Sequence, residues 1–236
     1  MKKVLSVFVL ILLVIGVVGC NGTEERTYKA DGVYMAYEVG ITTQDVLNAD
    51  GTKFALGEGE AAVNYKAVVP TITFVEVTIA NDEVVGFNID ERQSKVFIGS
   101  TNEDGSIKGL NIKFNDKTKK QLGWDYNMNF ASKTDGEWFL AAGKLEDSWL
   151  GLDAPVALTG ITMTQDKYVK LAKDALKNAV DGKAVAISRS LANAREHYDY
   201  DFAFATADVD VNGKLTNRRL DALQFGYSRN TFGEKL

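Results

Sequence analysis

Cysteine and histidine are almost missing from this chain: its 236 residues hold one of each, Cys20 and His197. Without a second cysteine there is no intramolecular disulfide, so stability must come from packing, and redox chemistry needs a cofactor rather than a thiol pair. A single histidine excludes His-rich zinc sites, and its setting argues against a Ser-His-Asp triad. It lies in the polar stretch Arg195-Glu196-His197-Tyr198-Asp199, which reads as a solvated loop or the entrance to a strand. A basic balance is also lacking. With 27 Lys and Arg against 32 Asp and Glu, the net charge of −5 argues against nucleic acid and against an electrostatic grip on anionic lipid. The carboxylates are scattered, and no spacing singles out an acid/base pair for hydrolysis. What the chain does have is 45% apolar residues with 12 Phe, 9 Tyr and 3 Trp, enough to bury a substantial core in one domain or one and a half.

The longest apolar run, Val4 to Val18, covers 15 residues, short of the roughly 20 that a membrane-crossing helix needs. Lys2 and Lys3 precede it and Gly19-Cys20 closes it, which are the flanks of a secretory signal. A small residue directly before a lone cysteine resembles the bacterial lipoprotein processing site. That resemblance implies that residues 1–20 are a lipoprotein signal peptide, with Cys20 acylated and becoming the mature N-terminus. Loss of Lys2 and Lys3 takes the net charge from −5 to −7. Several acyl chains, each CH₂ contributing about 0.8 kcal/mol on burial, make an effectively permanent anchor. The expected location is the extracytoplasmic face of the cell membrane, held by membrane lipid through Cys20.

Residues 21–29 are polar and aperiodic, as in a tether, and the fold is expected to begin near Ala30. Val33 to Val39 and Ile72 to Ile79 read as strands, and Asn81-Asp82-Glu83 followed by Val84 to Ile89 makes Thr73 to Asp90 a hairpin. The stretch Ile41 to Tyr65 has no sustained period and reads as an insertion, mostly loop. Asp116 to Leu122, Glu137 to Leu150 and Thr164 to Ala179 read as helices, the last with an apolar stripe of Tyr168, Leu171, Ala172, Ala175, Leu176 and Ala179. Phe202 to Val211, Asn212-Gly213 and Lys214 to Leu223 repeat the first hairpin. On the second strand the offset is 131, where Asp90 meets Asp221 and Gln93 meets Gln224. Strands and helices segregate, so the expected class is α+β: an antiparallel sheet with segregated helices and a partial internal duplication. Residues 30–182 form the main domain, and 183–236 an incomplete second repeat packed on it.

Leu158-Thr159-Gly160-Ile161-Thr162-Met163-Thr164-Gln165 leads directly into the best helix. Hydroxyls around a glycine before a helix start favour an anion; equally, Thr164 can be a plain N-cap and Gly160 a turn residue. Thr159-Gly160-Ile161-Thr162-Met163-Thr164 resembles the Ser/Thr-Gly-Ala-Thr-x-Thr/Ser motif of the FMN-binding domain family, which carries FMN on a threonine through a phosphoester bond. Ala30-Asp31-Gly32-Val33-Tyr34 is similar to the family's first strand. Lys119 to Met128 followed by Gly136-Glu137-Trp138 resembles its lipoprotein members in Gram-positive bacteria. Ile161 stands where the family has alanine, and Val156 where it has an acidic residue, with Asp153 the nearest carboxylate.

The resemblance implies covalent FMN on Thr162, with Thr159, Gly160 and Thr164 shaping the phosphate corner and Trp124, Tyr126 or Trp138 as candidate rings to stack on the flavin. It implies a flavin transferase and a redox partner, and an electron carrier rather than a substrate-transforming enzyme. No metal or catalytic residue is assigned. The alternative is a non-flavin surface lipoprotein that uses the same scaffold as a ligand-binding or adhesion module.

Overall fold

In a computed structural model, residues 26–56, 63–115, 117–126, 128, 136–187, 190–193 and 197–228 are described. The main sheet is four-stranded and antiparallel, in the order β1 (Gly32–Leu47), β4 (Lys66–Ala80), β5 (Glu83–Thr101), β6 (Ile107–Phe114). β2 (Ala55–Leu56) and β3 (Val63–Asn64) form a small separate hairpin. The expected hairpin from Thr73 to Asp90 is present. Its turn is made by Asn81 and Asp82 at φ 53° and 62°, two consecutive left-handed residues that match the twist of the flanking strands. The Asp31 carboxylate accepts from the Asn81 N–H at 2.8 Å, and the Asp82 carboxylate accepts from the N–H groups of Thr27 and Tyr28 at 2.8 Å each. Lys29 N–H donates to Ala179 O at 2.9 Å. Thr27, Tyr28 and Lys29, part of the expected tether, are therefore tied into the fold.

The stretch Ile41 to Tyr65 differs from expectation. β1 runs on to Leu47, pairing with β4 as far as Asp45 opposite Lys66, and its end turns to pair in parallel with β5 at Val46 and Leu47. The reason lies in the partner: β4 is buried on both faces from Val69 to Thr73, so β1 supplies backbone partners where its own side chains give no alternation.

Three helices follow: α1 (Lys119–Leu122), α2 (Trp138–Trp149) and α3 (Asp166–Asp181). α1 is one capped turn, in which Thr118 Oγ1 accepts from Gln121 N–H at 3.3 Å and Gln121 Oε1 accepts from Thr118 N–H at 3.0 Å. α2 buries Trp138, Ala141, Ala142, Leu145 and Trp149, and α3 buries Tyr168, Leu171, Ala172, Ala175 and Ala179. Both stripes close over Tyr34, Val75, Val77, Ile79 and Ile89 of the sheet. Gly182, at φ 69°, ends α3.

A second sheet has the order β7 (Lys183–Ile187), β9 (His197–Val209), β10 (Leu215–Ser228), with β8 (Ser190–Asn193) also on β9. The expected second hairpin is thus present and longer than expected. Pairings correspond: Asp90 lies opposite Phe74 and Asp221 opposite Phe204. Each aspartate also accepts from the next N–H, Glu91 or Ala222, at 2.8 Å. Phe202 is buried with Val46, Ile72 and Val96 of the first sheet, and Phe204 meets Tyr37 at 5.8 Å between ring centroids. The fold is α+β with mostly antiparallel sheet. Cys20 lies outside the described residues.

Candidate functional site

From the end of α2 the chain runs back along that helix to the start of α3. Trp149 Nε1 donates to Val156 O at 2.8 Å at one end, and the Trp138 and Tyr168 rings meet edge-on at 6.0 Å at the other. Between these anchors the loop sorts its side chains by polarity. Leu158, Ile161 and Met163 pack into the core, whereas Thr159, Thr162 and Thr164 are exposed. Gly160 takes φ 88°, a conformation that costs other L-residues about 1–2 kcal/mol. Thr164 is not the N-cap: Gln165 occupies that position without a side-chain capping bond. The Gln165 amide instead clamps the loop, accepting from Leu158 N–H at 2.7 Å and donating to Leu158 O at 2.9 Å.

Loop and helix enclose a groove of about 510 Å³. One wall is Gly160, Ile161 and Thr162; the other is the face of α2 opposite its core stripe, with Phe139, Leu140, Gly143, Lys144 and Asp147, and Met128 lies at one end. Of the three threonines only Thr162 lines it. A Cβ on Gly143 would meet nothing within 4 Å, so the groove is open at that level.

Two of the aromatic expectations need correcting. Trp138 is 3% exposed and faces the core, because the helical stripe that buries it also turns it away from the groove. Tyr126 lies beneath the Lys119 ammonium, 5.0 Å from ring centroid to Nζ. The aromatic on the groove is Phe139, which the core stripe concealed. Trp124, 64% exposed, meets Phe139 edge-on at 5.6 Å.

Behind the groove is a charge cluster with no sequence signal. Glu91, 2% exposed, receives Lys119 Nζ at 2.8 Å, Lys167 Nζ at 2.5 Å and Tyr168 OH at 3.1 Å. Burial alone pushes its carboxyl up, but the ammonium groups of Lys119 and Lys167 together override that and hold it at about 2. Burial, then Glu91, pushes the Tyr168 phenol well above its ordinary value. The cluster ties α1 and the first turn of α3 to β5. Nearby, Lys120 Nζ meets Glu146 at 2.5 Å and Asn88 Oδ1 at 2.7 Å. Burial raises the Glu146 carboxyl despite that partner.

Among the described residues there is no group of three His, Cys, Asp or Glu side chains able to hold a metal, and no helix long and apolar enough to cross a membrane. His197 is the first residue of β9. Compared with protein-family models, curated proteins and solved structures, the chain matches none.

Proposed function

We propose that this protein is a membrane-tethered, extracytoplasmic flavoprotein that carries FMN on Thr162 and relays electrons. The observation that carries the reading is that the Thr162 hydroxyl is exposed and on the wall of a 510 Å³ groove, whereas Thr159 and Thr164 are exposed but off its lining. That volume falls within the roughly 300–1,000 Å³ of small-molecule sites, and the mostly apolar walls suit a flat heterocycle. The residues fit the group. Thr162 is the attachment oxygen, Gly160 leaves the backbone approachable, Gly143 leaves space, and Phe139, Ile161 and Met128 keep water from the ring. Bound FMN supplies the reversible redox chemistry, while the chain fixes its position and environment. Acylated Cys20 holds the carrier at the membrane, which raises its effective concentration for a redox partner there.

Co-expression of the full chain with a flavin transferase tests this. The expected product is yellow, with fluorescence that survives denaturation, is lost in Thr162→Ala and is kept in Thr159→Ala and Thr164→Ala. A colourless product with an unmodified Thr162 peptide leaves the non-flavin ligand-binding or adhesion module, for which the same apolar groove would serve.

The C-terminal sheet we read as an incomplete second repeat. In support, β7-β9-β10 repeats the order β1-β4-β5, Phe74 opposite Asp90 corresponds to Phe204 opposite Asp221, and Asp181-Gly182 precedes β7 as Asp31-Gly32 opens β1. No described helix follows β10, and we read this copy as an extension of the first, with Phe202 packed among Val46, Ile72 and Val96.

A further inference from the structure

Among the described residues Lys144 is the only cation on the groove lining, and no carboxylate is within ion-pair distance of it. Lys144 and Thr162 line the same groove, Lys144 from the exposed face of α2 and Thr162 from the loop, with Gly143, next to Lys144 in the helix, also on the lining.

The other charged residues on the lining are carboxylates. Glu137 is fully buried, with Oε2 accepting from Met128 N–H at 2.9 Å, and Asp147 lies one turn beyond Lys144. A phosphodiester keeps one negative charge at neutral pH. The groove that would hold it is lined by Ile161, Phe139, Leu140 and Asp147, apolar side chains and a carboxylate, among which an uncompensated anion is costly.

We infer that Lys144 is the charge partner of the phosphoester on Thr162, setting how readily that ester forms and persists; this rests on the reading of Thr162 as the flavin carrier. The ester forms when the Thr162 oxygen attacks the flavin-bearing phosphorus of a flavin dinucleotide donor: the new P–O bond replaces the donor's anhydride P–O bond, a nucleoside monophosphate departs, and the hydroxyl proton passes to solvent. A charge-assisted contact between ammonium and phosphate oxygens is the interaction Lys144 makes as a point charge on a flexible stem. Gly143 provides the room, and Asp147 opposes.

The test uses the full chain co-expressed with a flavin transferase, read by intact mass and by the phosphorus resonance of the loaded protein. Lys144→Gln is expected to load about fivefold more slowly and to shift that resonance, Lys144→Arg to restore both, and Asp147→Asn to load faster than wild type. Since Lys144 is exposed, its variants should melt like wild type. Gly143→Leu, which fills the groove, should melt no lower and yet fail to load. Wild-type loading with an unmoved resonance in Lys144→Gln overturns the role of Lys144 and leaves the flavin reading intact. A wild-type protein that never loads overturns both.

Discussion

The two sheets use the same strand grammar and end in opposite conditions. In the first, Val75, Val77, Ile79 and Ile89 are at most 2% exposed; in the second, every residue from Val211 to Ala222 is exposed, Leu220 at 88%. The register is shared, with Ile89 opposite Val75 and Leu220 opposite Ala205. What differs is the cover. α2 and α3 lie on the first sheet, and the groove exists because a helix face and the loop returning along it enclose space. An alternating pattern is enough to make a sheet; a site needs a second layer.

The largest expected effect is at Glu91, whose counterpart by offset is Ala222. Glu91→Gln leaves the Lys119 ammonium, 9% exposed, without its carboxylate, and is expected to cost about 4 kcal/mol. The pH dependence has a definite sign. The folded carboxyl sits at about 2 against an ordinary 4.5, so its contribution, of order 3 kcal/mol, is complete above 4.5 and fades as pH falls towards 2. Urea unfolding between about pH 2 and 6 should give wild type a steeper acid loss than Glu91→Gln. Parallel curves would mean the cluster is not formed in solution.

Next in size is Ile89→Ala, expected to cost about 3 kcal/mol because a fully buried side chain is removed between sheet and helices. A cost below about 1 kcal/mol would mean that α2 and α3 do not cover the sheet tightly. Two glycines then sharpen the contrast between cover and junction. At Gly182, φ 69°, a Cβ would stand 2.5 Å from Lys29 Cγ and 2.6 Å from Val209 O, so Gly182→Ala should cost about 2 kcal/mol. Gly143→Ala, in helix and facing open groove, should gain about 0.5–1 kcal/mol. Differential scanning calorimetry of the pair should move the melting temperature in opposite directions.

The sequence is legible where one element carries its own pattern. Thr73 to Asp90 alternates around a turn dipeptide, and α3 repeats apolar residues at helical spacing, so both are found. β1 beyond Gly40 is not, because Ile41 to Leu47 is a strand only through its partner β4. The motif loop points to Thr162, yet the opposite wall escapes notice. The periodicity that finds α2 highlights its core stripe, and Phe139, Gly143 and Lys144 are what that stripe leaves over. The Glu91 cluster joins residues 76 positions apart, a distance at which no local pattern acts. The resemblance makes Trp138 a candidate flavin wall, and helical phase decides otherwise.

The smallest effect separates the two sheets most sharply. Leu220 stands 131 residues after Ile89, but on β10, which among the described strands pairs with β9 alone. An 88% exposed leucine has little burial to lose, so Leu220→Ala should change stability by no more than about 0.5 kcal/mol in guanidinium unfolding. The cost of that leucine lies elsewhere: an apolar side chain on an open edge invites pairing with another chain, and lysine there opposes it. Leu220→Lys should therefore leave unfolding unchanged while lowering concentration-dependent light scattering. If Leu220→Ala instead loses more than 1 kcal/mol, that strand is covered in solution, and the difference between the sheets is one of partner rather than of cover.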